Sequence, residues 1–199
     1  VKNSWKIAGK FLPQSIERLT HDVIVTSTGA SNRIEGNVLT DEQVEELYRD
    51  LRIRKFKTRD EQEVAGYLEI LEHIFTHYTE IPLRERIILQ LHRDMLKYSD
   101  HDQRHRGAYK FGSNRVEAKD KDGNLVGVIF DPTPPHLVQK EMQELLEWYE
   151  WATMEAFKHP IILIANFIFE YLAIHPFQDG NGRTSRLLTN IMMLQNEYE

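Results

Sequence analysis

Hydrophobic residues along this chain recur at three- and four-residue intervals over long stretches, the period of helices that each bury one face. Residues 60–78 set Val64, Leu68, Leu71 and Phe75 on one side. Residues 83–98 do the same with Ile87, Ile88, Leu91 and Met95, and 134–152 with Leu137, Met142, Leu145 and Trp148. Thr40 and Gln43 form a capping-box pair that predicts a helix over about 41–51. Further upstream, Ile16, Leu19, Val23, Ala30 and Ile34 roughly keep helical spacing, although Val-Thr-Ser-Thr-Gly between them lowers the propensity. Gly36 and Asn37, which tolerate left-handed backbone, stop that helix. The most apolar stretch, 161–174, reads as the central buried helix of a bundle. His175-Pro176 ends it, because the residue before proline is pushed out of helical geometry. Leu187, Leu188, Ile191 and Met192 then mark one more amphipathic helix.

Only the segment 107–130 breaks this rhythm. It is polar and turn-rich, with Asp122-Gly123-Asn124 between two short runs at 115–118 and 125–130, which predicts a β-hairpin. The expected fold class is therefore all-α, a helical bundle with one small hairpin. At 199 residues the chain is long enough for one domain, 1–199, with a real core. It begins at Val1 and ends in what reads as mid-helix, so it is expected to be a piece of a longer protein.

Composition removes several function classes. A net charge of −6 makes the whole chain no magnet for nucleic acid or anionic membrane. The run Arg52, Arg54, Lys55, Lys57 and Arg59 is flanked by acidic residues and reads as a solvated charged face. Residues 161–174 contain Asn166 and Glu170 and fall short of the roughly 20 residues a membrane span needs. Zero cysteines exclude disulfides and thiol chemistry and fit the expected cytoplasmic location. His73 and His77 have a zinc-compatible spacing, but no third ligand accompanies them and they read as surface or packed histidines. Trp148, Tyr149 and Trp151 suit either core packing or a contact between subunits.

The densest chemistry lies at residues 175–186, His-Pro-Phe-Gln-Asp-Gly-Asn-Gly-Arg-Thr-Ser-Arg. Gly180 and Gly182 let the backbone turn sharply and aim successive N–H groups at an anion. A helix starting there adds its unpaired N–H groups and dipole. Arg183 and Arg186, three apart, share a helical face and can grip phosphate oxygens. Asp179 is a lone carboxylate suited to Mg²⁺, which takes one or two such ligands and fills the rest with water and substrate. His175 can accept a proton near neutral pH. The string predicts a nucleotide-phosphate site with its own base.

This loop resembles the Fic family signature, His-x-Phe-x-Asp/Glu-Gly-Asn-Gly-Arg-x-x-Arg, at every defined position. The resemblance implies the Fic fold and AMP transfer from ATP to a hydroxyl side chain of a protein. The phosphate-transferring relative Doc carries lysine where this chain has Gly182, which points to AMP. Carried over, His175 is the base, Phe177 the buried anchor of the loop, and Asp179 the Mg²⁺ ligand. Gly180, Asn181 and Gly182 cradle the phosphates, Arg183 neutralises them and Arg186 meets the γ-phosphate. The hairpin would be a flap, about 107–130, on which an extended stretch of the target protein docks. A homodimer is a further partner that the resemblance suggests.

A second string, Ser31-Asn32-Arg33-Ile34-Glu35-Gly36, read alone, is a helix end with a solvated carboxylate at the unfavourable end of the dipole. It resembles the inhibitory helix of a Fic subgroup, Ser/Thr-x-x-x-Glu-Gly/Asn, through Ser31, Glu35 and Gly36. The resemblance implies an inhibitory helix over about 16–36 in which Glu35 pairs with Arg186 and takes the place of the γ-phosphate. Two alternatives stay open: removal of AMP from a modified protein with Glu35 orienting water, and a catalytically silent nucleotide-binding module.

Overall fold

A computed structural model describes residues 13–53, 55–155 and 159–198. In chain order these form α1 (Pro13–Ile34), α2 (Asp41–Asp50), α3 (Arg59–His77), a 3₁₀ turn (Tyr78–Glu80) and α4 (Glu85–Met95). The hairpin β1 (Val116–Lys119) and β2 (Leu125–Phe130) follows, then α5 (Val138–Met154), α6 (Pro160–Ile174) and α7 (Asn181–Gln195). The all-α bundle with one small hairpin is therefore the architecture found.

Local chemistry fixes the ends. Thr40 and Gln43 close the expected capping box on α2, and Thr58 with Glu61 closes another on α3; each satisfies two otherwise unpaired donors. Pro160 sits in the first turn of α6, where a missing N–H costs nothing. Helix α5 starts at Val138 rather than near 134, because Pro134-Pro135 hold the chain out of helical geometry. Leu137, expected on the buried face, is thus left at the helix entrance and exposed.

The centre of the bundle is α3 and not, as the hydropathy of 161–174 suggested, α6. Helix α3 packs against α1, α2, α4 and α7, and Val64, Leu68, Leu71 and Ile74 are fully buried. Gly66 permits its closest crossing: a Cβ there would collide with the Met95 carbonyl of α4. Helix α6 lies between α5 and α7. It buries Leu163, Ile164, Phe167 and Tyr171, while Ile162, Leu172 and Phe169 (69 % exposed) face outward. Apolar content alone could not tell a helix covered all round from one covered on a single side.

The face of α1 also differs from the expected one. Leu19, Val23, Ala30 and Ile34 are exposed; the buried positions are Ile24, Val25, Thr28, Gly29, Ser31 and Asn32. Helix α1 lies against α3, α2 and α7, and the small and polar residues share its buried side with Ile24 and Val25; a Cβ on Gly29 would collide with Asp41 of α2.

The hairpin strands pair antiparallel, with Val116 opposite Phe130 and Lys119 opposite Leu125. Its turn is closed by the Asp120 carboxylate, which accepts from the Asp122 and Asn124 N–H groups. Gly123 supplies the positive φ of +84°. Strand pairing begins only at 116. Residues 107–114 are irregular and tie instead to the loop after α6. No described helix is long and apolar enough to cross a membrane.

Candidate active site

The loop between α6 and α7 is held from several directions. His175 ends α6 in left-handed geometry, φ 53° and ψ 59°, the departure from helix that Pro176 enforces. Gly180, also left-handed at φ 79°, opens α7. A Cβ on Gly180 would stand 2.9 Å from Met95 Cε and 3.3 Å from His92 Nε2. Only glycine meets both demands.

Phe177 is fully buried. Its ring stacks on His92 of α4 at 3.7 Å and 3°. His92 was not singled out from sequence, yet it donates from Nε2 to the Asp179 carbonyl at 2.9 Å and accepts the Gly107 N–H at Nδ1, also 2.9 Å. Burial holds its imidazole down at about 4, so it stays neutral with a fixed tautomer. Asn181 turns its side chain inward: Oδ1 accepts the Phe177 N–H at 2.8 Å and Nδ2 donates to the Phe177 carbonyl at 2.7 Å. Its contribution toward an anion is therefore its backbone N–H.

His175 is half-buried. Nδ1 donates to the Leu172 carbonyl at 3.3 Å, which leaves Nε2 as the free acceptor. Burial lowers its pKa below the ordinary imidazole value; the Leu172 contact, Glu35 and Asp179 oppose that, and the Lys110 cation reinforces it. Asp179 Oδ1 accepts the Gly180 N–H at 2.7 Å, and Oδ2 lies 3.5 Å from Arg183 with the side chain half exposed. One open carboxylate braced by a backbone N–H fits the donor set of Mg²⁺. Among the described residues no cluster of three metal-type ligands exists, so Mg²⁺ would need substrate oxygens and water to complete its shell.

The two arginines do not share one environment. Arg183 is 2 % exposed and lies beneath the loop, 3.2 Å from Glu63 of α3. Arg186 is at the surface of the cradle and holds α1. Its Nε donates to Ser31 Oγ at 2.6 Å, and Nη2 to the Ser31 carbonyl at 3.0 Å and to Glu35 Oε1 at 2.7 Å. A Cβ on Gly182 would collide with Glu35 Oε1. The Glu35 carboxylate thus rests directly on the glycine cradle. Gly36, at φ 92°, ends α1 immediately beyond it.

Sequence reading missed Glu63, whose only signal was its spacing of four from Arg59; that pair forms at 2.6 Å. It also missed Lys110 and Asn114, which reach the loop across more than sixty positions of chain. His73 and His77 stack on each other at 4.5 Å. Tyr149 packs edge-on to Phe167, and Trp151 stays exposed.

The sequence profile of the Fic/DOC family matches residues 82–193, more than half of the chain. Protein adenylyltransferase Fic of Nematostella vectensis is 28 % identical over 172 residues, which is 83 % of this chain and 36 % of that one. The Drosophila melanogaster protein of the same name is 30 % identical over 167 residues, 83 % of this chain and 31 % of that one. The chain spans about a third of the length of these curated relatives. Among solved structures, a Fic domain containing signaling protein from Bacteroides thetaiotaomicron superposes with a TM-score of 0.77 at 29 % identity, covering 92 % of this chain and 67 % of that one. A Fic family protein from Desulfovibrio desulfuricans gives 0.69 at 28 % identity, covering 96 % and 55 %. With its bundle, its glycine cradle and its sequence profile in agreement, the chain belongs to the Fic/DOC family.

Proposed function

We propose that this chain is a protein adenylyltransferase: it transfers AMP from MgATP to a Ser, Thr or Tyr hydroxyl of another protein, and its own Glu35 restrains it. The observation that carries this reading is the seat of Glu35 on Gly182 with Arg186 as its partner. A carboxylate bound to a guanidinium above a glycine cradle occupies the place that a terminal phosphate would fill. The relatives' name, protein adenylyltransferase, agrees with a nucleotide substrate.

In this reading the N–H groups at the start of α7, from Asn181 and Gly182, cradle the phosphates, since the first turn of a helix leaves such donors unpaired. Gly180 lets the chain approach them closely. Arg183 adds positive charge from below and steadies Asp179. Arg186, once released, meets the γ-phosphate. Asp179 would hold Mg²⁺, which neutralises phosphate charge when bound. His175 Nε2 takes the proton of the target hydroxyl as it attacks the α-phosphorus in line and pyrophosphate leaves. The hairpin exposes Leu125, Val126 and Val128, and main-chain pairing along it would align an extended target segment with little side-chain selectivity.

The test is incubation of the protein, Glu35→Gly and His175→Ala with α-labelled ATP in a cell lysate, reading label on protein. The expected result is strong labelling by Glu35→Gly, weak labelling by the parent and none by His175→Ala. An inactive Glu35→Gly protein that still binds ATP refutes the transferase reading.

A further inference from the structure

Lys110 is 3 % exposed, a costly place for a cationic side chain unless it performs a task. Its nearest partners are neutral. Nζ donates to the Ile174 carbonyl at 3.1 Å and to Asn114 Oδ1 at 2.8 Å. Asp131 and Glu141 act on it only as through-space charges, and they are engaged elsewhere, by Arg115 and Thr133.

Ile174 is the last residue of α6, so its carbonyl belongs to the negative end of that helix dipole. The same short segment grips the next residues too. The Lys110 N–H donates to the Pro176 carbonyl at 2.9 Å. Asn114 Nδ2 donates to the carbonyls of Phe177 at 2.8 Å and His175 at 3.3 Å. Four consecutive carbonyls, 174 to 177, are thereby held by two side chains and one backbone group. An amide or apolar side chain could fill this place with less desolvation, which leaves the positive charge itself to be explained.

We propose that Lys110 is a positioning residue for His175: its buried ammonium fixes the end of α6 on which the base is mounted and biases the adjacent imidazole toward the unprotonated form that accepts a proton. This rests on the reading of His175 as the base of AMP transfer. The charged groups facing His175 are Lys110 from the 107–114 segment, Glu35 from α1 and Asp179 from its own loop. The two carboxylates favour the imidazolium and Lys110 opposes them. Burial brings Lys110 itself down to about 8. It therefore remains charged over the pH range in which an imidazole titrates.

The experiment follows the His175 ring by NMR through a pH titration of the whole chain, with His175→Gln identifying the resonance. Lys110→Gln keeps a hydrogen-bond donor and removes the charge; Lys110→Arg keeps the charge. The expected result is an upward shift of the His175 titration on the order of half a unit or more in Lys110→Gln, with Lys110→Arg matching the parent. An unmoved titration in Lys110→Gln overturns the proposal, as does an equal shift in Lys110→Arg. Should Lys110→Gln fail to fold, Asn114→Ala supplies the second arm, since it loosens the loop and leaves the charge. It should lower the maximal rate of label transfer from ATP several-fold at unchanged KM, with the His175 titration in place; a shifted titration overturns the assignment. The expected titrations without AMP transfer in any variant would sustain Lys110 and defeat the transferase reading instead.

Discussion

Neutralising Glu35 should raise affinity for ATP far more than for ADP, and for AMP not at all. Glu35 binds Arg186 through one charge-assisted bond of 2.7 Å between side chains 35 % and 29 % exposed. Such a rim pair is itself worth only about 0.5–1 kcal/mol. Its larger effect is repulsion. Two unit charges at about 4 Å with an effective dielectric constant near 20 interact by about 4 kcal/mol. Solvent at this mouth reduces that to roughly 1–3 kcal/mol, or about 5- to 150-fold in Kd. On the proposed reading only a nucleotide with a γ-phosphate meets Glu35 and gains Arg186, which sets the order of the three ligands. Calorimetry with a non-hydrolysable ATP analogue, ADP and AMP on the parent, Glu35→Gln and Glu35→Gly reads this order directly. The glutamine variant controls for helix fraying. Equal gains for all three nucleotides would refute the reasoning, because they would show a general loosening of α1 and no competition at one phosphate.

His175→Ala should abolish transfer while changing ATP affinity less than threefold, since the cradle and arginines remain; labelled-ATP assay and calorimetry separate the two. Gly180→Ala should cost about 1–2 kcal/mol, from a left-handed backbone and the contact with Met95, read by denaturant melts. Stability should fall between pH 6.5 and 4. The folded state holds His92 neutral down to about 4, so the unfolded chain binds the extra proton. The loss is about 2 kcal/mol at pH 5, seen as a lower Tm, and His92→Gln should flatten it. The proton-accepting limb of transfer should persist below the ordinary imidazole value, because burial lowers the His175 pKa.

Much of the site was legible because it is local. Residues 175–186 form one loop and the start of α7, so their proximity could be anticipated without knowing the fold. The helices were legible where a single face repeats, as for Val64, Leu68 and Leu71. What escaped was non-local and polar. Nothing in the string around Glu63 announces that Arg183 will lie against it, and His92 and Lys110 act on carbonyls, which have no side-chain signature. The face of α1 was misjudged because hydrophobic spacing assumes that bulky residues pack, whereas Thr28, Gly29 and Ser31 take much of the buried side. The environments of Arg183 and Arg186 diverged for a related reason. A spacing of three puts them on one side of α7, but the depth of α3 beneath the first and the reach of α1 over the second decide what each one meets.

The bond from Glu35 to Arg186 spans 151 positions of chain. Ribosomes add about 5–20 residues per second and N-terminal segments fold first. Helix α1, the restraining element of the proposed reading, therefore leaves the ribosome roughly 8–30 seconds ahead of the arginine it will hold. The nascent chain passes through no interval in which Arg186 is present and Glu35 is still unmade, so on the proposed reading release comes from a later event in the life of the finished protein.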